Sequence, residues 1–178
     1  MKVHLPPEAD AQAIAQRLSS GGTVVAVHER VITEPPPPPY TTATLLQDAI
    51  PRLGWTASQV METAQRLFEQ GLITYPRTDS THIALHARQA GEEIARALFG
   101  PRALPAGWKR RLLGWKRDEE AEGAHEAIRP TQPSRLPDAV ETQQPQDQLL
   151  YRLIWQRFIA SLMRPAKIRL IEVEVEVP

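Results

Sequence analysis

In Gly71–Thr81, GLITYPRTDST, a short apolar run delivers Tyr75 into a proline, and an arginine, an aspartate and several hydroxyls follow at once. A phenol that attacks a phosphodiester must lose its proton. The charge that gathers on the phosphoryl oxygens needs cations, and the departing sugar oxygen needs a proton. Arg77 suits that charge, Thr78 and Ser80 suit phosphate hydrogen bonds, and Asp79 suits the orienting of a cationic or imidazole partner. Pro76 restricts Tyr75 to an extended backbone, as for a residue presented on a loop. A Tyr-Pro pair followed by polar residues is most often a turn, so the stretch alone does not separate a nucleophile from a packed aromatic.

A second cluster, AEGAHEAIRPT from Ala121 to Thr131, holds His125, Glu126 and Arg129 in loop-like sequence. A helical turn would set His125 and Arg129 on one face. An imidazole beside a guanidinium can hold a phosphate and exchange a proton with it. His4, His28, His82 and His86 have no evident partners in the sequence and read as bystanders.

The elements that must position these residues follow from periodicity. Glu8–Ser20 reads as a short helix stopped by Gly21-Gly22. In Thr23–Thr33, Val25, Val27 and Val31 alternate with Ala26, His28 and Arg30, which predicts a strand with one buried face. The run Pro35–Pro39 is stiff, can join neither a sheet nor a helix interior, and reads as a lobe boundary. Thr41–Leu53 is helical, and Thr56 opens a capping box with Gln59. Behind that box Val60, Met61, Ala64, Leu67 and Phe68 form an apolar stripe that ends at Gly71. Further helices are expected over His82–Leu98 and about Pro145–Met163, the latter with Leu149, Leu150, Leu153, Ile154, Phe158 and Leu162 on one face. Gly100–Asp138 reads as long loops with Trp108 and Trp115 as anchors. The end of the chain, KIRLIEVEVEVP, changes apolar parity near Ile171, which predicts a bulge or bend there, followed by a half-buried Val/Glu strand. The expected fold class is α+β: a helical lobe over residues 40–165 inserted into a small β-rich lobe made of 1–39 and 166–178. Because the last residues are strand-like, the chain is expected to be part of something larger.

Composition sets bounds. A hydrophobic fraction of 42% and a charged fraction of 24% are those of a globular protein. With 21 basic and 21 acidic residues the net charge is zero, so any nucleic-acid contact must come from local clustering. There is no cysteine, which excludes disulfides and thiolate metal sites. No apolar run approaches the length of a membrane span, so no membrane contact and a cytoplasmic location are expected.

The two clusters together, in this order and separation, resemble the type IA DNA topoisomerases. PPPPYTTATLLQDA before the tyrosine, the helix Thr56–Gln70 and LLYRLIWQRFIASLMRPAKI after the histidine extend the likeness from about Val24 to Glu176. The resemblance implies that Tyr75 is the nucleophile that becomes joined to a 5′ phosphate of one DNA strand, with Arg77 steadying that phosphate. It implies that Asp79 orients His125 beside the phosphates of bound single-stranded DNA. Arg129 matches a basic residue of the strand-binding groove, with Glu126 in the same motif. Thr78 and Ser80 match less closely, as phosphate ligands. The family's tyrosine lobe has winged-helix character and is looped out of a β-rich arch.

The departures are as informative. Members of that family bind Mg2+ through a separate acidic Toprim domain carrying a glutamate and an Asp-x-Asp pair. No Asp-x-Asp occurs in this chain, and Glu92-Glu93 and Glu119-Glu120 stand in another context. The metal site is therefore expected outside this chain, the Toprim and further DNA-binding domains are the expected partners, and the chain alone is expected to relax no DNA. PPPPYTTATLL and EGAHEAIRPTQP lean toward reverse gyrase-like members, although no helicase motif occurs here. A nucleoid-associated protein is expected. The competing reading is a non-catalytic module of the same fold that binds single-stranded DNA, and the two differ in whether Tyr75 is used.

Overall fold

Two valine-rich segments far apart in the chain, Thr23–Glu34 and Ala166–Glu176, form strands β1 and β2. They pair antiparallel, from Thr23 opposite Glu176 to Glu34 opposite Ala166, in the computed structural model, which describes residues 12, 16, 21–105, 125–142 and 144–176. The register slips once, between Val24 and Ala26, so Val25 is the extra residue of a bulge. The irregularity expected near Ile171 is absent, and Ile171 stays in regular register opposite Glu29. The apolar residues of β2 simply change faces there.

That change is tolerated because neither face of the ribbon is buried. Val24, Val25, Val27, Val31, Val173 and Val175 are 47–64% exposed, which corrects the expectation of one buried face on each strand. The alternation instead places β-branched residues opposite one another, Val27 with Val173 and Val24 with Val175, and such cross-strand pairs stabilise a ribbon without a core behind it. Arg30 meets Glu172 at 3.2 Å and Arg169 meets Glu29 at 3.6 Å, exposed pairs worth about 1 kcal/mol or less each. The ribbon belongs to one compact unit, and residues 35–165 form the other.

Within the second unit the described residues form four helices: α1 (Thr42–Leu53), α2 (Ala57–Glu69), α3 (Leu85–Phe99) and α4 (Pro145–Ser161). Short 3-10 turns occupy Pro101–Ala103 and Pro137–Ala139. The chain is thus α+β. Capping boxes at Thr41/Thr44 and Thr56/Gln59 start α1 and α2. Gly54 (φ 69°) ends α1, and Gly71 (φ 68°) turns the chain out of α2, both in the left-handed region that glycine enters without a Cβ clash. Of the expected N-terminal helix only Gln12 and Gln16 are described, and both are helical. Trp108 and Trp115 lie outside the described residues.

The core gathers on α4, which packs against α1, α2 and α3. Leu150, Tyr151, Ile154, Phe158 and Ile159 are fully buried, and burial of each large apolar side chain stabilises the unit by about 1.5–3 kcal/mol. Leu149 is not among them. It is 48% exposed, and the inward positions include Tyr151 and Trp155, whose polar ends reach the carbonyls of Arg135 and Pro133, each at 2.8 Å. Phe68 likewise leaves the stripe of α2 and faces outward, while Val60, Ala64 and Leu67 are buried. Arg66 on α2 reaches the buried Asp147 at the start of α4, at 2.8 Å. Gly91 lets α3 approach α4 closely, since a Cβ there would stand 2.5 Å from Leu162 Cδ1 and 2.6 Å from Phe158 Cε1.

α3 begins at Leu85 rather than His82 because hydroxyls hold the preceding residues in turns. Thr78 Oγ1 accepts the Ser80 amide and Ser80 Oγ accepts the His82 amide, each at 3.1 Å, which competes with helix formation.

Candidate active site

Residues Ala127 to Thr131 run beside the tyrosine segment as an extended strip. Isolated antiparallel bridges join Tyr40 to Ile128 and Ile73 to Pro130. The Thr74 amide donates to the Arg129 carbonyl at 2.9 Å, and the Thr131 amide to the Leu72 carbonyl at 3.0 Å. On the other side the Ala127 amide donates to the His82 carbonyl at 2.8 Å. His125–Arg129 is therefore extended rather than a helical turn, in keeping with its loop-like sequence. The backbone groups of this stretch are paired with neighbouring segments, which a helix would not allow.

Extension sends His125 and Arg129 to different places. His125 is exposed and lines an open cleft of about 450 Å³ together with Thr41, Thr42, Ala43, Arg77, Thr78 and Asp79. Arg129 is 4% exposed and ion-paired with Glu126 at 2.5 Å, and it donates from Nη1 to the Pro130 carbonyl at 3.1 Å. Glu126 also accepts the Ala84 amide at 2.9 Å. Neither Arg129 nor Glu126 is among the residues that wall the cleft, and their mutual ion pair and backbone contacts brace the histidine strip. Ser80 caps its own turn and is not a wall of the cleft either.

The cleft thus brings four expected residues together: Arg77, Thr78, Asp79 and His125. Its floor contains a feature that the sequence reading missed. Thr41, Thr42 and Ala43 open α1, so the positive end of the helix dipole lies at the cleft that Arg77 and His125 also line. The hydroxyls of YTTAT were legible only as caps. Thr42 Oγ1 lies 2.8 Å from the Pro76 carbonyl and 3.1 Å from the Thr78 carbonyl, and accepts the Thr78 amide at 2.9 Å. Thr74 Oγ1 donates to the Ala127 carbonyl at 2.7 Å and accepts the Arg129 amide at 3.0 Å. Hydroxyls on both sides of Tyr75 thereby fix its backbone.

Tyr75 itself is 45% exposed, and its ring meets that of Phe68 edge to face, with centroids 5.4 Å apart. It is not a wall of the cleft, although Arg77, two residues on, is. A different tyrosine, Tyr40, is buried at the entrance to the helical unit. Its hydroxyl donates to Asp48 at 2.5 Å and the Arg157 guanidinium lies 4.7 Å over its ring. Burial, and after it the hydrogen bond to Asp48, pushes that phenol above its ordinary range, which suits a structural anchor rather than a nucleophile. Among the described residues no three His, Cys, Asp or Glu side chains converge as a metal site, and no helix is long and apolar enough to cross a membrane.

Comparison with known proteins places this architecture in a class. Residues 2–178 match the family of DNA topoisomerases. The chain is 39% identical to DNA topoisomerase 1 of Mycoplasma genitalium over 171 residues, covering 90% of this chain and 24% of that protein. It is 37% identical to the "DNA topoisomerase 1 type prokaryotic" of Acanthamoeba polyphaga mimivirus over 160 residues, covering 90% of this chain and 18% of that protein. The structure of full-length topoisomerase I from Thermotoga maritima superposes with a TM-score of 0.73 at 29% identity, covering 98% of this chain and 29% of that one. The chain belongs to the type IA DNA topoisomerases, and it spans about a quarter or less of the length of these curated relatives.

Proposed function

We propose that this chain supplies the strand-cleaving tyrosine lobe of a type IA DNA topoisomerase. The observation that carries the reading is the cleft in which Arg77, Thr78, Asp79 and His125, from two separate motifs, line one space at the start of α1, with the exposed Tyr75 two residues before Arg77. In this reading the Tyr75 phenolate attacks a phosphorus of single-stranded DNA. The P–O bond to the 3′ oxygen breaks, that oxygen leaves as a hydroxyl after taking from water a proton equivalent to the one the phenol released to water, and the 5′ phosphate stays on the tyrosine. Arg77 and the helix end hold the phosphoryl charge, and Thr78 donates a hydrogen bond. His125, with Asp79 on the same cleft, binds an adjoining phosphate. Tyr75 reaches the cleft by side-chain rotation, which its exposure allows.

Among the described residues no cluster of three His, Cys, Asp or Glu could hold magnesium, and no step above passes through a metal. Mg2+ binding belongs to an acidic Toprim domain outside these residues, and the chain by itself relaxes no DNA. The relatives named above carry the name DNA topoisomerase 1, which favours a relaxing enzyme over a reverse gyrase. Such a protein works in the cytoplasm on the nucleoid.

The test is to mix the chain with a separately prepared Toprim-bearing fragment, magnesium and a labelled single strand, and to trap covalent adducts by denaturation. Wild type is expected to retain a 5′ phosphotyrosyl link that Tyr75→Phe loses while its strand affinity stays within about twofold, because the hydroxyl adds little to phosphate-dominated binding. Strand binding without any adduct from wild type would leave a non-catalytic binding module in its place.

A further inference from the structure

We propose that the outward ring of Phe68, with Tyr75 beside it, is a stacking surface for a nucleobase of the strand whose phosphate occupies the Arg77–His125 cleft. The inference rests on the reading of that cleft as a single-strand site. Its starting point is a large apolar residue that the core does not claim. On α2 the side chains of Val60, Ala64 and Leu67 are fully buried, yet Phe68, next in sequence, is 37% exposed. Its ring is not isolated. It meets the half-exposed Tyr75 at 5.4 Å between centroids and 69° between planes.

In an edge-to-face pair one ring presents only its edge to the other, so the pairing itself does not cover that ring's faces. A nucleobase supplies a flat face whatever its identity, so stacking would add affinity that tolerates any sequence. The backbone supplies continuity. Tyr75 is joined through the buried Pro76 to Arg77, a wall of the cleft, so aromatic surface and phosphate-binding charge follow one another along one rigid segment. Thr42 holds that segment from below through the Pro76 carbonyl and the Thr78 amide. Phosphate charge and exposed aromatic rings in succession are the two components of a surface for single-stranded nucleic acid.

The experiment uses the 178-residue chain in a Tyr75→Phe background, which keeps the ring pair and prevents any covalent link. Its probes are a short oligodeoxynucleotide carrying the fluorescent base 2-aminopurine and an abasic counterpart with the same phosphates, both at low salt. The base-bearing strand is expected to bind about 5- to 100-fold more tightly than the abasic one, with its fluorescence quenched. Phe68→Ala should erase both the quenching and the preference and leave the affinity for the abasic strand unchanged, and Phe68→Trp should keep them. Equal weakening of both strands by Phe68→Ala would overturn the proposal and leave Phe68 as a prop for the Tyr75 ring. Equal affinity of the unsubstituted Phe68 chain for both strands would overturn the stacking surface alone. Failure to bind either strand would overturn it together with the reading of the cleft.

Discussion

Thr42 and Thr78 are joined in both directions: the Thr42 hydroxyl accepts the Thr78 amide at 2.9 Å, and the Thr42 amide donates to the Thr78 carbonyl at the same distance. The first residue of α1 is thereby a fixed part of the loop that carries Arg77. Thr42→Val keeps the shape but leaves the Thr78 amide and the Pro76 carbonyl without their partner. A loss of about 1–3 kcal/mol in urea unfolding is expected, with faster hydrogen exchange at the Thr78 amide. Thr42→Ser should restore both. A valine variant as stable and as protected as wild type would show that the clasp contributes nothing.

His125 and Arg129 belong to one motif, yet only His125 lines the cleft. The substitutions His125→Ala and Arg129→Ala should therefore separate binding from stability. Removing His125 takes away one phosphate-binding group and should weaken single-strand binding several-fold without moving the urea midpoint. Removing Arg129 leaves the partly exposed Glu126 carboxylate without its cation and should cost about 1–3 kcal/mol of stability. The paired measurement is denaturant unfolding beside oligonucleotide titration at one salt concentration. An Arg129→Ala chain with wild-type stability and weakened strand binding would return Arg129 to the groove.

These contrasts mark how far the sequence could be read. Tyr75, Arg77, Asp79 and His125 stood out because their chemical types are unusual in company, and a cleft brings the last three together. The capping boxes at Thr41 and Thr56 were legible because a cap depends on residues three apart. Thr42 was not, since a threonine in a first helical turn looks the same whether it faces water or grips a loop thirty-six residues on. The burial of Arg129 was not legible for a similar reason: the strip that buries it is held by the long-range partners Tyr40, Thr74 and His82, and helical spacing carries no trace of them. The valines of β1 and β2 show the converse, an alternation that reports cross-strand pairing where burial was expected.

The last prediction concerns pH. Tyr151 is fully buried on α4, its hydroxyl donating to the Arg135 carbonyl, and burial pushes its phenol up to about 12. Tyr40 is raised as well, by burial and by Asp48. The sign follows from proton counts. Above the ordinary tyrosine value of about 10 the unfolded chain releases these protons while the folded chain keeps them, so the unfolded state binds fewer protons and stability falls as pH rises. Below about pH 10 both states are protonated and the contribution is fully present. Between about pH 10 and 12, Tyr151 alone should remove up to about 1.4 kcal/mol per pH unit. Urea midpoints measured across this window should fall less steeply in Tyr151→Phe than in wild type, even though the variant starts about 1 kcal/mol lower for leaving the Arg135 carbonyl without its donor. Parallel slopes in the two proteins would mean that Tyr151 ionises as readily in the fold as in the unfolded chain.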